Sequence, residues 1–409
     1  MGNNTAFRLT GVLVIFLCVF LLVAGFFDFS NRPPQPESPL KKELIKLGLK
    51  DRDIFLLMEA ITRIKNDDLF LDPAVNREEI LRDAIKSYLP TLDPFSAYLS
   101  REEYLEFKES LNEKYVGIGM EIDKTAKDEF VCLPYPGSPA EQAGIKTGDR
   151  LKSIDGIPLK GKSLFTVAAL ARGQIGTSIA LVVITGNGIE KAVNLVRSKV
   201  KIEAVSRQWL GNFGVINILS FTKNTKGEVK SIINDWEKKK PIIIDLRNNS
   251  GGDLYAAIDS AMLFLEKAKP IVTVKSRSEL KTYESTNRAV NLTSPLYLWQ
   301  NESTASAAEV FIAALTQNHR AVSIGKTTFG KGTKQDILEL SDGSALVLTT
   351  GYLLTPNGTE YQGRGLAPTY PLEKEHPQTE DYLTRLREVI TMKEQAFLFD
   401  RQQDTTEVD

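Results

Sequence analysis

The first hydrophobic pattern in the chain is an uncharged apolar run from Leu9 to Phe27. A helix rises about 1.5 Å per residue, so this run would span roughly 28 Å and match a bilayer core of about 30 Å. We interpret residues 1–30 as a membrane anchor that contacts lipid. A cleaved signal segment is the alternative, because Val23-Ala24-Gly25 weakly resembles a cleavage site.

The charges beside this run predict its orientation. Arg8 precedes it and Asp28 follows it, which favours a cytoplasmic N-terminus and an exported remainder. We therefore expect a single-pass, membrane-anchored protein that lies mainly outside the cytoplasm. The periplasm is the expected compartment, and a thylakoid-type lumen is the alternative.

Helical periodicity follows a proline-rich linker at residues 31–39. Up to Lys108, apolar residues recur three and four positions apart, as helices require. They are Ile54, Leu57, Met58, Ile61 and Ile64, then Ile80, Leu81, Ile85 and Leu89. The pattern predicts a linker and helical region over residues 31–108, which could support a homo-oligomer.

The remaining pattern predicts two further domains and a tail. Residues 109–200 read as short strands punctuated by glycines, with one helix near Lys162–Ala171. Residues 201–372 alternate strands with helices, which is typical of an α/β core. Residues 373–409 form a tail with one predicted helix, Tyr382–Phe397. The fold class expected is α+β and multidomain.

Composition removes several classes of function. The formal net charge is −1, so no strong field favours nucleic acid. The two cysteines, Cys18 and Cys132, cannot build a disulfide framework, and with only two histidines a zinc site is not expected. We predict no metal and no cofactor.

Ser306 is the first candidate for chemistry. A strand is predicted to end near Trp299 and a helix to begin near Ala305, so Ser306 lies at a helix N-terminus, which favours negative charge. That position suits an attacking alkoxide and an oxyanion. The alternative is a plain helix cap, because Ser306 and Glu309 have capping-box spacing.

Lys331 is the candidate base. A lysine accepts a proton only where burial lowers its pKa from about 10.4 towards roughly 7–8. Gly330 and Gly332 flank it and allow the chain to turn tightly. Gln335 or Glu309 could orient the amine, while a surface loop lysine is the alternative.

Two glycine-rich loops could present backbone N–H groups. In Asp245-Leu-Arg-Asn-Asn-Ser-Gly-Gly252 a glycine pair follows a buried strand, as in an oxyanion site or an ordinary strand-to-helix turn. In Tyr115-Val-Gly-Ile-Gly119 the loop leads into a strand whose edge could accept an extended peptide. The predicted peptide-binding residues are Val116, Gly117, Ile118 and Gly119.

Together these segments resemble the carboxyl-terminal processing proteases, or tail-specific proteases, a Ser/Lys peptidase family. The resemblance runs from about Leu92 to Leu372. Its segments are Leu92–Leu99, Gly137-Ser-Pro-Ala-Glu-Gln-Ala-Gly144 with Gly148-Asp-Arg-Leu, Asp245–Gly252, Thr304–Glu309 and Gly330–Gln335. It implies a PDZ domain followed by a serine protease core of the ClpP/crotonase type.

The resemblance also implies roles for single residues. Ser306 matches the nucleophile, Lys331 the base and Gln335 the residue that positions the lysine. The oxyanion hole would use the N–H groups of Ala307 and of Gly251 or Gly252. Arg172, in Ala171-Arg-Gly173, resembles a link between a bound tail and the active site.

The chain departs from the family pattern near the nucleophile, where Thr304 stands for a usual serine, so Ser303 stays open as an alternative nucleophile. The expected function is a membrane-anchored serine endopeptidase that binds unstructured protein C-termini and cleaves through an acyl-enzyme. The alternative is a catalytically silent, membrane-tethered PDZ adaptor.

Overall fold

A computed structural model describes residues 51–406, with gaps at 69–70, 73, 111–113, 126–127, 163, 202, 238–239, 287–288 and 291–292. The predicted membrane segment and the proline-rich linker lie outside the described residues. Across those that are described, every helix is too short or too polar to cross a bilayer.

The chain divides into two compact units, residues 1–83 and 84–409. In the first unit, helix α1 (Asp51–Asp67) corresponds to the predicted helical pattern. Helix α2 (Arg77–Tyr88) begins there with a reciprocal cap, in which Asn76 Oδ1 accepts from the Glu79 N–H and the Glu79 carboxylate accepts from the Asn76 N–H.

The second unit opens with a segment that leads to the core. It contains a 3₁₀ turn (Leu89–Thr91), strand β1 (Ala97–Leu99) and helix α3 (Arg101–Ser110). The Asp93 carboxylate accepts hydrogen bonds from the N–H groups of Phe95 and Ser96, both at 2.8 Å. This turn fixes Phe95, whose ring lies next to the Lys331 side chain.

The glycine-punctuated region forms an antiparallel sheet in the order β3-β4-β5-β7-β8, with β6 on β5. Strand β3 has one hydrogen-bonded neighbour and leaves its other edge open among the described strands. The elements are β2 (Lys114–Gly117), β3 (Met120–Lys124), β4 (Phe130–Pro134), α4 (Pro139–Gln142), β5 (Arg150–Ile154), β6 (Ile157–Pro158), α5 (Leu164–Ala171), β7 (Ser178–Ile184), β8 (Glu190–Val196) and β9 (Ser198–Lys201).

Alternation along β7 explains how this sheet covers its core. Ile179, Leu181 and Val183 are buried at every second position, because successive side chains of a strand point to opposite faces. They pack with Phe130 and Cys132 in one apolar cluster. Burial raises the pKa of the Cys132 thiol to about 12.

The predicted α/β region is built on a six-stranded sheet in the order β10-β11-β12-β15-β16-β19, parallel from β11 onward. Its elements are β10 (Val205–Leu210), β11 (Phe213–Ile218), α6 (Thr225–Asn234), β12 (Ile242–Asp245), α7 (Leu254–Ala261), β15 (Leu296–Gln300), α8 (Ala307–Gln317), β16 (Val322–Gly325) and β19 (Tyr370–Pro371). Helix α8 is buried over its first nine residues, so it forms the centre of the core rather than a surface layer.

A second, antiparallel sheet has the order β1-β18-β13-β14, with β17 paired to β18. The new strands are β13 (Pro270–Ser276), β14 (Leu280–Glu284), β17 (Thr333–Glu339) and β18 (Ala345–Leu354). Strand β17 begins two residues after Lys331. The antiparallel sheet therefore carries the lysine segment towards the six-stranded sheet.

The C-terminal helix α9 (Thr379–Thr406) is longer than the predicted Tyr382–Phe397. Tyr382, Leu383, Leu386 and Val389 are buried in one cluster with side chains of the six-stranded sheet, among them Trp299. The region predicted as a tail therefore covers one face of that sheet.

Candidate active site

Ser306 lies on a strained turn between β15 and α8. Its backbone has φ 55° and ψ −119°, a conformation that costs a non-glycine residue about 1–3 kcal/mol. A strained strand-to-helix turn also presents the nucleophile in the α/β-hydrolases. The side chain is half-buried, and the residue is the N-cap of α8, as the sequence predicts.

The carboxylate of Glu309 holds this turn to the lysine segment. One oxygen accepts from the N–H groups of Ser306 and Lys331, both at 2.8 Å. The other accepts from the Gly330 N–H at 2.8 Å and from the Thr328 hydroxyl. Glu309 is fully buried, and desolvation raises the pKa of its carboxyl while these donors oppose the rise. The predicted capping residue thus joins the two candidate catalytic segments.

A second set of contacts fixes the turn from its other side. The Thr304 hydroxyl donates to the Leu246 carbonyl at 2.9 Å, and the Thr304 carbonyl accepts from the Phe329 N–H at 2.9 Å. The Ala305 N–H donates to the Asn249 carbonyl at 2.9 Å. The threonine that departs from the family pattern therefore has a structural task that needs only its hydroxyl and backbone.

The glycine pair packs closely, with Gly251 against the serine and Gly252 against Phe221. A Cβ atom added to Gly251 would lie 2.8 Å from Ser306 Cβ, and one added to Gly252 would lie 2.3 Å from the Phe221 carbonyl oxygen. Both residues also have positive φ angles, 118° and 112°. Only glycine lets this loop approach the serine so closely.

The backbone donors near Ser306 are not equivalent. The Gly251 N–H donates to the buried Asn249 side chain at 2.8 Å. The N–H groups of Gly252 and Ala307, by contrast, have no hydrogen-bond acceptor among the described residues. Of the two predicted glycines, Gly252 is therefore the one whose N–H group is free to meet an oxyanion in this conformation.

Lys331 has a fixed backbone and a side chain turned towards the PDZ region. A Cβ at Gly330 or Gly332 would come within 2.6 Å or 2.9 Å of backbone atoms in the 362–365 loop, so only glycine fits on either side of the lysine. The Lys331 Nζ lies 4.7 Å from the centre of the Phe95 ring. Within the described part of the chain, no hydrogen bond joins this amine to Ser306 Oγ.

Two carboxylates on the open-edged strand β3 face the lysine. Burial raises the pKa values of Glu121 and Asp123, and attraction to Lys331 acts in the opposite direction on both. Glu121 also accepts a hydrogen bond from the Ser250 hydroxyl. The PDZ region therefore touches the glycine loop and attracts the candidate base at the same time. The sequence analysis missed these two residues, although acidic side chains alternate with apolar ones after Gly119.

Gln335 is not placed on the lysine in this conformation. Its side-chain amide donates to the hydroxyls of Thr333 at 3.0 Å and Thr349 at 3.2 Å. The β17–β18 register shifts between Lys334 and Gln335. The orienting role predicted for Gln335 therefore needs a rearrangement that this conformation does not contain.

The predicted peptide-binding loop lies beside β3. Val116 and Gly117 end β2, and the carbonyl groups of Ile118 and Gly119 accept from Ala140 and Tyr135 N–H groups at 3.0 and 2.9 Å. Gly119 has a φ of 73°, and a Cβ there would lie 2.4 Å from Ser138 Cβ. The loop geometry therefore needs glycine at this position.

Arg172, the predicted regulatory residue, follows helix α5 and is half-buried. The arginine that holds the end of this helix is Arg197, which sequence reasoning missed. Its guanidinium donates to the Leu170 and Ala171 carbonyls at 3.1 and 3.2 Å. An arginine between Val196 and Ser198 in a strand pattern was the available signal.

Comparisons with known proteins identify the family and one domain. The models that match describe peptidase family S41, over residues 212–372, and a PDZ domain, over residues 130–185. A "Probable CtpA-like serine protease" of Staphylococcus aureus (strain MRSA252) is 35% identical over 339 residues, which cover 82% of this chain and 68% of that protein. A relative of the same description from Staphylococcus haemolyticus (strain JCSC1435) is 36% identical over 280 residues, covering 68% of this chain and 56% of that protein.

A solved structure extends the similarity to the fold. The photosystem II D1 C-terminal processing protease is 27% identical, with a TM-score of 0.67 over 78% of this chain and 87% of that one. The chain belongs to peptidase family S41 and is a serine-type peptidase with a PDZ domain. The resemblance to the carboxyl-terminal processing proteases is confirmed.

Replacing Glu309 with glutamine tests whether its carboxylate holds the two candidate catalytic segments together. An amide has one acceptor oxygen, so Glu309→Gln leaves at least two buried donors without a partner. We expect a loss of about 2–3 kcal/mol in the free energy of unfolding, measured by urea denaturation. The matched control is Glu302→Gln, an exposed carboxylate in the same loop, which should change stability by less than about 0.5 kcal/mol. Equal stability of the two variants would contradict the role of Glu309 in holding the two segments together.

Proposed function

We propose that this protein is a membrane-anchored endopeptidase that binds unstructured protein C-termini through its PDZ domain and cleaves them with Ser306 and Lys331. The observation that carries the proposal is the strained turn of Ser306, which lies against Gly251 and is joined through one buried carboxylate to the Lys331 segment. A plain helix cap explains neither the backbone strain at Ser306 nor the link through Glu309 to the Lys331 segment.

The chemistry follows from these positions. Ser306 Oγ attacks the carbonyl carbon of the peptide bond, and its proton passes to Lys331 Nζ. The carbonyl oxygen becomes an oxyanion and accepts from the N–H groups of Ala307 and Gly252. As the C–N bond breaks, Lys331 gives the proton to the leaving amine. Water then attacks the acyl-enzyme by the same route and releases the acid.

In this proposal, binding of the substrate tail also aligns Lys331 with Ser306. A tail adds to the open edge of β3, with its carboxylate at the loop of residues 116–119. Glu121 and Asp123 lie on that strand, so a shift of β3 changes the attraction that they exert on Lys331. The lysine side chain then turns from Phe95 to Ser306, and Gln335 can take up its orienting role. Arg172, next to the PDZ helix, is the proposed link between these events.

The names of the relatives support the substrate class. The structure with a TM-score of 0.67 is described as a C-terminal processing protease, and a PDZ domain is a module that takes up extended peptides. We extend this specificity for C-termini to the present chain as a proposal.

The location is proposed on the sequence alone. The apolar run of residues 9–27 anchors the chain as a single span, and the PDZ and protease regions lie outside the cytoplasm, in the periplasm.

A PDZ adaptor without catalysis is the second candidate. It is favoured by one observation, the missing hydrogen bond between Ser306 and Lys331 among the described residues. A resting enzyme explains the same observation, and membership of a serine peptidase family favours the enzyme.

Substitution of the two catalytic residues separates enzyme from adaptor. We expect wild-type protein to cleave a tailed peptide, and Ser306→Ala and Lys331→Ala to lower kcat by at least about 10³-fold. Tail binding, measured by fluorescence anisotropy, should survive both changes. The matched control is Ser303→Ala, three residues earlier in the same turn, which should keep its activity. Loss of activity in that control would move the nucleophile to Ser303, and binding without turnover in the wild type would favour the adaptor.

Neutralising Asp123 tests the resting position of the lysine. In Asp123→Asn the amine loses an attraction on the order of 1 kcal/mol, so hydrolysis of an untailed peptide should rise about fivefold. Glu190→Gln, an exposed carboxylate elsewhere in the PDZ sheet that pairs with Lys152, should leave the rate unchanged. An unchanged rate in Asp123→Asn would remove the carboxylate from the resting mechanism.

Fractionation of cells that express the whole chain tests the anchor. The protein should remain in carbonate-washed membranes at its uncleaved mass, and protease added to spheroplasts should digest the PDZ and protease regions. A chain without residues 1–30 should be released from the membrane. A mature N-terminus just after Gly25 would instead identify a cleaved signal segment.

A further inference from the structure

The C-terminal helix α9 contacts two loops. One contains the glycine pair (residues 245–252), and the other leads to Ser306 (residues 300–307). The first contact of α9 is with Arg247, two residues after β12. The guanidinium lies 4.7 Å from the Tyr382 ring centre and 4.9 Å from that of Trp299. It therefore lies over both a ring of the helix and a ring of the sheet, which are in contact with each other at 5.3 Å between centres.

Arg247 is held from two sides. It donates to both oxygens of the buried Asp245 carboxylate, through Nε at 2.8 Å and an Nη atom at 2.6 Å. Its other Nη atom donates to the Thr379 hydroxyl, at the start of α9, at 3.3 Å. A planar guanidinium can make this forked pair and stack on rings at once, which a lysine cannot.

The second contact is with the segment that leads to the nucleophile. The Tyr382 hydroxyl donates to the Gln300 carbonyl at 2.9 Å, and this carbonyl also accepts from the Lys326 N–H at 3.2 Å. Gln300 is the last residue of β15, six residues before Ser306. One tyrosine therefore touches the strand of the nucleophile and the arginine of the glycine loop.

The match to the peptidase family model ends at residue 372, before α9 begins. The helix is nevertheless packed tightly, since Tyr382, Leu386 and Val389 are buried against the six-stranded sheet. Its contacts with Arg247 and Gln300 are more specific than apolar packing requires, because they are directed at two polar groups next to the site.

We propose that Arg247 and Tyr382 are positioning residues, through which α9 sets the relative placement of the Ser306 turn and the oxyanion loop. The inference rests on the proposed function, because it assigns these two loops to nucleophile and oxyanion. In the described structure neither side chain has a hydrogen bond to Ser306, Lys331 or the glycine pair, so both act through the backbone that they hold. Substrate tails bind at β3, so these residues govern the rate of the bound complex rather than tail affinity.

The test compares Arg247→Lys and Tyr382→Phe with Val389→Ala in the full-length protein. Arg247→Lys keeps the charge and loses the fork, whereas Tyr382→Phe keeps the ring and loses only the bond to Gln300. Val389→Ala loosens the same helix without touching either loop. Each variant is assayed at the same margin below its own Tm, with a tailed peptide as substrate.

We expect kcat to fall about 10- to 100-fold in Arg247→Lys and several-fold in Tyr382→Phe, with KM changed less than twofold. Val389→Ala should retain its kcat at equal loss of Tm. An equal fall of kcat in all three variants would show that the helix contributes only to overall stability, and would overturn the proposal. So would a rise in KM with unchanged kcat.

Hydrogen–deuterium exchange tests the same inference without activity. The Gly251, Thr304 and Ala305 N–H groups are hydrogen-bonded within the two loops. Exchange over residues 245–252 and 300–307 should become several-fold faster in Arg247→Lys and Tyr382→Phe than in Val389→Ala, and should stay unchanged in residues 130–185. Uniform exchange across the variants would overturn the positioning role even if the wild type cleaves. An inactive wild type with the expected exchange pattern would overturn the proposed function alone.

Discussion

The buried carboxylate of Glu309 is the interaction on which the site depends. Ser306 follows a strand of the six-stranded sheet, Lys331 precedes a strand of the antiparallel sheet, and 24 residues separate them, yet their backbone N–H groups meet on one oxygen of this side chain. A buried carboxylate is costly unless donors surround it, and here four donors do so. The cost of burial and the order of the site are therefore linked, because moving either segment away would remove donors that offset this cost.

The nucleophile turn and the glycine loop are close for a complementary reason, which is the absence of side chains. Gly251 and Gly252 let the loop after β12 reach Ser306 and Phe221 at distances that a Cβ would prevent. Asn249 then uses its side chain and carbonyl to bind Gly251 and Ala305. The lack of side chains at the two glycines and the hydrogen bonds of Asn249 together place the free N–H groups of Gly252 and Ala307 next to the strained serine.

The sequence predicted those parts of the fold and site that depend on local pattern. Short glycine-punctuated strands in residues 109–200, strand-helix alternation after residue 201 and a serine at a helix N-terminus all have counterparts in the structure. The length and role of α9 could not be predicted, because its one buried face reads as a modest amphipathic helix until the sheet beneath it is known. The carboxylates of Glu121 and Asp123 were missed because their partner, Lys331, lies about 200 residues away in the chain.

The resting position of Lys331 follows from the division between its backbone and its side chain. Glu309 fixes the backbone, while the long side chain lies over Phe95 and, in the proposed function, turns from there to Ser306. An ammonium group is stabilised by an aromatic face and by nearby carboxylates, whereas a general base must be uncharged. The same amine therefore has one place that suits its charged form and another that suits its chemistry. In the proposed function, the PDZ strand that supplies the carboxylates also receives the substrate tail, so the position of β3 would decide between the two places.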